Sequence, residues 1–407
     1  MVLTLFILTY VGVAAGRIPG LKVNRVGIAL LGAIGMMIFS KSSTAQSAAL
    51  INWPTVFLLF GFFVISAQLR LSGFYDRIAS GISSKLNEPH RFLLYLIVVT
   101  AGMSAFLNHD IVVYVLAPVV GTALIRKRID PVPYLIGLAA ASNIGAAATL
   151  VGNAQNMLIG EVGHLAFLDY ALWSFVPVAI ALAATFFVIR FAADRRSPVF
   201  TQVDPEPAEP AHDYDRYHAA KGLVILAIVI GLFFTSLPKE IVVLVAAGIH
   251  LISTKFKTDE LLGLVDWPIL LLFMSLFVVS GTFQMEGYGD SLVHWMVGLG
   301  FDPAKPVNET LLTAGLSILI NNAPAVMLLV KILSLAQPVT GYIMAVANSF
   351  AGNAILTSSV ANIVVVQQAR RQGIVIGFAE FSRLGLPITL VGLAGLIAWA
   401  ALLGHAG

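Results

Sequence analysis

The chain has 407 residues, of which 58% are hydrophobic and 11% charged, and its mean hydropathy is +0.90. Soluble domains carry about 25% charged residues, so this composition excludes a water-soluble enzyme, a disordered chain and a nucleic-acid binder. A net charge of +3 is ordinary for a membrane protein whose loops hold Lys and Arg, and the lack of Cys removes disulfides, thiolate chemistry and Cys metal sites.

At about 20 residues per crossing plus loops, the length leaves room for about ten spans. The apolar start, Met1 to Gly16, has no basic leader and no clean cleavage site, and is expected to be a first span. Spans follow near 24–40 and 54–70. Two apolar arms, 92–107 and 111–125, flank the polar tip Asn108-His109-Asp110. A polar-interrupted span covers 134–160, and a last span covers 168–192. Residues 194–217 are polar and Pro-rich and predict a flexible linker outside the membrane. The second half gives spans at 222–237, 240–254 and 268–284, and arms at 309–320 and 325–336 around Asn321-Asn322-Ala323-Pro324. An interrupted span at 340–366 and a last span at 384–403 complete it.

The two halves repeat. Trp53, Pro54, Leu58, Phe63, Val64, Ser66, Gly73 and Asp76 recur as Trp267, Pro268, Leu272, Phe277, Val278, Ser280, Gly287 and Asp290, at an offset of 214. That offset places Asn108 on Asn322 and Asp110 on Pro324. ASNIGAAATLVGNAQN (141–156) matches NSFAGNAILTSSVAN (348–362) at a slightly smaller offset. If each pair of arms returns to its own side, twenty of the 24 Lys and Arg fall on one face. Only Lys41, Lys239, Lys305 and Lys331 fall on the other. The arms are short for crossings, which favours re-entrant hairpins. Each half then has five spans and one hairpin, and an odd count inverts the second half. The expected fold is an all-α polytopic membrane protein of two inverted repeats, 1–193 and 218–407, with broken helices at the midplane. Both termini are expected outside and the linker in the cytoplasm.

In such folds the binding site lies where broken helices meet. Four breaks qualify: Asn108-His109-Asp110, Thr149 to Asn156, Asn321 to Pro324, and Asn353 to Asn362. Their Asn, Ser and Thr side chains can cap helix ends, or can hold an ion or polar solute. The candidate residues are Asn108, His109, Asp110, Asn143, Thr149, Asn153, Asn156, Asn321, Asn322, Asn353, Thr357, Ser358, Ser359 and Asn362. Asp110 reads as the one acid deep in an apolar setting, so it is the candidate for carrying a coupling proton or ligating sodium. His109 is a candidate relay partner or a packed His. Glu161 and His164 are expected to be solvated, and Lys331 to snorkel to the external surface. No phosphate-binding GxxxxGK[ST] loop occurs, so ATP hydrolysis by that route is not expected.

FLNHDIVVYVLAPVV (106–120), SNIGAAATLVGNAQN (142–156), NNAPAVMLL (321–329) and NAILTSSVAN (353–362) resemble the hairpin tips and unwound helices of the ion transporter superfamily. That superfamily holds arsenite permeases of the ArsB type, NhaD-type sodium/proton antiporters and divalent-anion/sodium symporters. The likeness covers nearly all of both halves. His109 replaces the usual second Asn of the first tip, while Ile355, Leu356 and Ser358 stand where Thr, Pro and Gly are common. The resemblance implies a secondary transporter of a small inorganic solute in the inner membrane, with H⁺ or Na⁺ as coupling ion and no other cofactor. It also implies a homodimer and, for arsenite permeases, a soluble ATPase partner. The cavity expected from Asn, Ser and Thr suits uncharged arsenite or antimonite exported against protons. A sodium/proton antiporter or sodium-coupled anion transporter is the alternative.

Overall fold

The computed structural model describes residues 1–16, 20–83, 86, 88–196, 213–235, 237–253, 255–303 and 305–403. Among these, twenty α-helices run in chain order and no strand occurs. The central part of the expected linker lies outside the described residues. Its edges are helical: α10 (Phe167–Asp194) ends it on one side and α11 (Arg216–Leu232) opens the other.

The halves share one element order. The first comprises α1 (Val2–Ala15), α2 (Arg25–Phe39), α3 (Thr44–Ala49), α4 (Trp53–Leu71), α5 (Phe74–Ser83), α6 (Pro89–Phe106), α7 (His109–Arg126), α8 (Pro131–Ala146), α9 (Ala154–Val162) and α10. The second comprises α11, α12 (Lys239–Leu251), α13 (Thr258–Gly263), α14 (Trp267–Met285), α15 (Tyr288–Gly298), α16 (Pro306–Ile320), α17 (Asn322–Ile332), α18 (Pro338–Ala351), α19 (Val360–Arg371) and α20 (Phe378–Leu402). Helices α2 to α5 and α12 to α15 start 214 residues apart. The short helices α3, α5, α13 and α15 were not expected from hydropathy; they are too short and too polar to register as spans.

Local chemistry fixes the ends. α4 and α14 both open with Trp-Pro, where Pro has no N–H to lose. Each is capped by the residue before it. Asn52 Oδ1 accepts from Thr55 N at 2.9 Å, and Asp266 Oδ1 accepts from Ile269 N at 3.1 Å. Among the described residues, six helices are long and apolar enough to cross a membrane: α4, α6, α7, α10, α14 and α20. At 1.5 Å per residue the 11-residue α17 reaches only about 16 Å, which is too short to cross. The second pair of arms therefore fits a hairpin by length, whereas α6 and α7 are each long enough to span.

The halves interlock. α12 packs on α4, and α2 packs on α14, so each half lays its early helices on the other half's Trp-Pro helix. Close approach is enforced by glycine. A Cβ on Gly61 would meet the Val243 side chain, and one on Gly145 would meet the Ala101 backbone between α8 and α6. The long α10 and α20 pack on each other, and both leave large apolar side chains such as Phe175, Phe187 and Leu390 exposed outward. Exposed apolar surface of this kind suits lipid contact. At one end of the bundle, Arg196 bridges Asp130 at the start of α8 (2.8 Å) and Glu380 at the start of α20 (2.5 Å). The end of α10 and the starts of α8 and α20 thus lie together, as the charge distribution requires.

Candidate functional site

The four breaks converge. α6 turns into α7 through Leu107-Asn108, and Asn108 Oδ1 accepts from Asp110 N (2.9 Å) and Ile111 N (3.4 Å). α16 turns into α17 through Asn321, whose φ of 77° and ψ of 156° lie outside αL in a region otherwise kept almost to Gly, so the tip holds a strained backbone. Both turns place an Asn at the N-cap, so the hairpins align at an offset of 213. This moves the sequence alignment by one residue: Asn108 pairs with Asn321, and Asp110 with Ala323.

The two interrupted spans are stapled alike. In the first, Asn156 Nδ2 donates to the carbonyls of Ala146 (3.1 Å) and Thr149 (3.0 Å). In the second, Asn362 Nδ2 donates to those of Gly352 (2.7 Å) and Ile355 (3.1 Å). All three pairs lie 206 apart in sequence. The staples satisfy carbonyls that the broken helices would otherwise leave bare. Further carbonyls are taken too. Tyr170 donates to Ala147 O at 2.7 Å, Ser174 to Ala148 O at 3.1 Å, and Thr149 Oγ1 to Ala105 O.

Between the breaks lies a buried amide cluster. Asn143 Nδ2 donates to Asn353 Oδ1 (2.9 Å) and Asn362 Oδ1 (3.0 Å), and Ser359 Oγ donates to Asn143 Oδ1 (2.9 Å). The pseudo-equivalent bond joins Asn153 Nδ2 to Ser349 Oγ at 3.1 Å. These bonds tie α8 to the break before α19, and the break before α9 to α18. Asn143, Asn156, Asn353 and Asn362 are thus internal staples and do not line the open space.

The open space is a cavity of about 40 Å³, with room for about three waters, lined by Asn108, His109, Asp110, Ala154, Gln155, Asn321, Asn322, Ala323, Ser359 and Val360. Ile269, Leu272 and Phe273 of α14 close one wall. Four helices present their N-termini to it: α7, α9, α17 and α19. α17 and α19 have no side-chain cap, so their first-turn N–H groups remain available to a solute. No Lys or Arg is among the lining residues.

His109 Nε2 and Asp110 Oδ1 are 3.6 Å apart, too far for a hydrogen bond. Asp110 Oδ1, His109 Nδ1 and Asn322 Oδ1 have no hydrogen-bond partner. Asn321 Nδ2 is held by the Thr357 carbonyl at 2.9 Å, while the Thr357 side chain points to the exposed surface and Ser358 is buried away from the cavity lining. Of the sequence candidates, Asn108, His109, Asp110, Asn321, Asn322 and Ser359 line the cavity. Asn153 caps α9 by accepting from Asn156 N at 2.7 Å, and Thr149 secures the break. Gln155 was missed, although it lies inside the GNAQN motif.

Three ionisable groups depart from expectation. Asp266, just before α14, is pushed up to about 6 by burial, opposed by the Ile269 N–H and reinforced by the charge of Asp110. Glu161 is half-buried rather than solvated, whereas His164 is exposed as expected. Asp110 is not the only acid in an apolar setting: Glu309 is 1% exposed.

The model of the citrate transporter family, CitMHS, matches residues 4–351. The chain belongs to that family. It is a membrane transporter, consistent with the arsenite-permease and NhaD-type branch of the ion transporter superfamily. It is similar to the uncharacterized transporter MT2759 of Mycobacterium tuberculosis (strain CDC 1551 / Oshkosh), at 28% identity over 414 residues, covering 96% of this chain and 95% of the relative. A putative transporter arsB of Dictyostelium discoideum is 21% identical over 491 residues, covering 91% and 86%. The crystal structure of the Alcanivorax borkumensis YdaH transporter superposes with a TM-score of 0.59 at 16% identity, covering 99% of this chain and 96% of that one. At that identity the likeness concerns fold alone.

Proposed function

We propose that the protein is a proton-coupled exporter of arsenite or antimonite, with Asp110 as the proton carrier. The observation that carries this reading is the cavity of about 40 Å³ that combines four helix N-termini, one carboxylate and no cationic side chain. Helix N-termini hold partial positive charge and point N–H donors at a ligand. They suit oxygen atoms. Trivalent arsenic at neutral pH is a small uncharged hydroxide whose oxygens can accept from the uncapped turns of α17 and α19. Its hydroxyl hydrogens can be taken by Asp110 Oδ1 and Asn322 Oδ1, both free to accept. Protonation of Asp110 removes one of those acceptors and weakens the solute's hold. Inward proton movement can then drive outward release.

Sodium fits this cavity less well. It needs several carbonyl or carboxylate oxygens, and the carbonyls of both breaks are engaged by Asn156, Asn362, Tyr170 and Ser174. Citrate, suggested by the family's description, is favoured by the helix N-termini. It is disfavoured by the cavity volume, by the neighbouring Asp110 and by the absence of Arg or Lys in the lining. The proposed placement has both termini external and the linker cytoplasmic.

The test uses everted vesicles with an imposed proton gradient. Arsenite, antimonite, citrate and Na⁺ are offered in turn, with Asp110→Asn as the control. Metalloid accumulation that collapses with the gradient and in the variant is expected. Citrate accumulation without metalloid flux, or full coupled transport by Asp110→Asn, overturns the reading.

A further inference from the structure

Glu309 is the acid that the cavity does not use. It lies one turn into α16, at the base of the second hairpin, and is 1% exposed. Its Oε1 has no hydrogen-bond partner. No ion pair to it occurs among the described residues. α16 packs on α17, α18, α1 and α20, whose titratable residues are Lys331, Tyr342, Tyr10, Glu380 and Arg383. An isolated ionised carboxylate in such a place is costly, so a carboxyl group there is built to hold a proton.

Glu309 is not an isolated polar accident. Glu309, Thr313 and Ser317 recur every four residues, which puts them on one face of α16 leading to Asn321 at the tip. Thr313 and Ser317 are fully buried. Ser317 Oγ donates to Asn348 Oδ1 on α18 at 2.7 Å. Thr313 Oγ1 and Asn348 Nδ2 have no partner. The first half repeats this row at an offset of 213, with Thr100 and Ser104 on α6. Ser104 meets Ser142, the mate of Asn348, at 3.1 Å. Where Glu309 would fall, the first half has Leu96, also fully buried. The hairpin therefore folds with an apolar residue at this place, and the carboxyl group is surplus to packing.

We infer that Glu309 is a second proton-binding site of the transporter, on the hairpin opposite Asp110 and joined to the cavity by the polar row of α16. One proton is taken from solution by the carboxylate, giving the neutral acid, and is released again when the base of the hairpin becomes exposed. Only an O–H bond forms and breaks. The inference rests on the proton-coupled reading above, and its test separates the two.

The experiment compares wild type, Glu309→Gln and Glu309→Leu in proteoliposomes. Infrared difference spectra across a pH titration report a protonated carboxyl group without any solute. The expected result is a carboxylic-acid carbonyl band, present in wild type and lost in both variants. Gradient-driven arsenite accumulation is expected to fall to the level of vesicles without a gradient. Arsenite counterflow, which needs no net proton movement, is expected to persist and shows that the variants fold. The inference is overturned if no carboxylic-acid band disappears in the variants, or if either variant keeps wild-type coupled accumulation. Gradient-independent flux in wild type would refute proton coupling alone, since the infrared band tests Glu309 by itself.

Discussion

Asp266 offers a quantitative test of the electrostatics around the cavity. Its side chain caps α14, and its pseudo-equivalent Asn52 caps α4 with an amide in the same geometry. Asp266→Asn should therefore keep the cap and remove the charge. Burial, with a contribution from Asp110, raises the carboxyl from its ordinary 3.8 to about 6. The folded state thus binds this proton more tightly than the unfolded chain does. The associated stability is complete below pH 4 and is lost as pH rises through about 6. At about 1.4 kcal/mol per tenfold, the loss is about 3 kcal/mol at pH 7.5, and about 2 once partial solvent access is allowed for. Asp266→Asn should recover that amount at pH 7.5. At roughly 2 °C per kcal/mol for a large chain, its Tm should rise by roughly 4–6 °C. At pH 4.5 the gain should shrink to about a third. The assay is thermal unfolding of the detergent-solubilised transporter at the two pH values. A variant with Tm at or below wild type at pH 7.5, or an equal gain at both pH values, would refute the reasoning.

Two further substitutions probe the packing that holds the breaks. Asn143→Ala removes the partner of Asn353, Asn362 and Ser359 together. At about 1 kcal/mol net for each hydrogen bond, the cost should be about 3 kcal/mol, read as a lower Tm; an unchanged Tm would show that the cluster carries no stability. Gly145→Ala drives a methyl group into the Ala101 backbone. It should cost about 1–3 kcal/mol by forcing α8 away from α6, and Gly102→Ala, which meets nothing, is its neutral control.

Much of this arrangement was legible in the sequence, for physical reasons. Trp-Pro at 53 and 267 marks helix starts because Pro tolerates the first turn. The Asn-rich breaks stood out because amides in apolar text must satisfy backbone groups or bind something. What the sequence could not separate was those two jobs. Asn143, Asn156, Asn353 and Asn362 proved to be staples, whereas Asn108, Asn321 and Asn322 line the cavity. The difference lies in which helix faces which, and α12 lying on α4 of the other half has no local signature. Glu309 escaped for a related reason. It stands three residues after Pro306, beside Asn308, where a loop edge would be solvated. Its helix packs on α1, α18 and α20, and none of these adjoins α16 in sequence.

The repeat itself sorts structure from function. Where both halves carry the same chemistry, that chemistry serves the fold: Asn156 and Asn362 staple the breaks, Ser104 and Ser317 bond α8 and α18, and Asn52 and Asp266 cap. Where one half departs, folding has already been shown to manage without the departure. Asp110 stands opposite Ala323, Asp266 opposite Asn52, and Glu309 opposite Leu96. All three departures replace a neutral residue by an acid: Asp110 and Glu309 lie on the hairpins, and Asp266 caps the helix that walls the cavity. Three acids with neutral mates in an otherwise apolar bundle are what the proposed proton coupling predicts. The mates also specify the controls. Asp110→Ala and Glu309→Leu each install the other half's own solution, so lost coupling with retained folding in these variants separates charge from architecture.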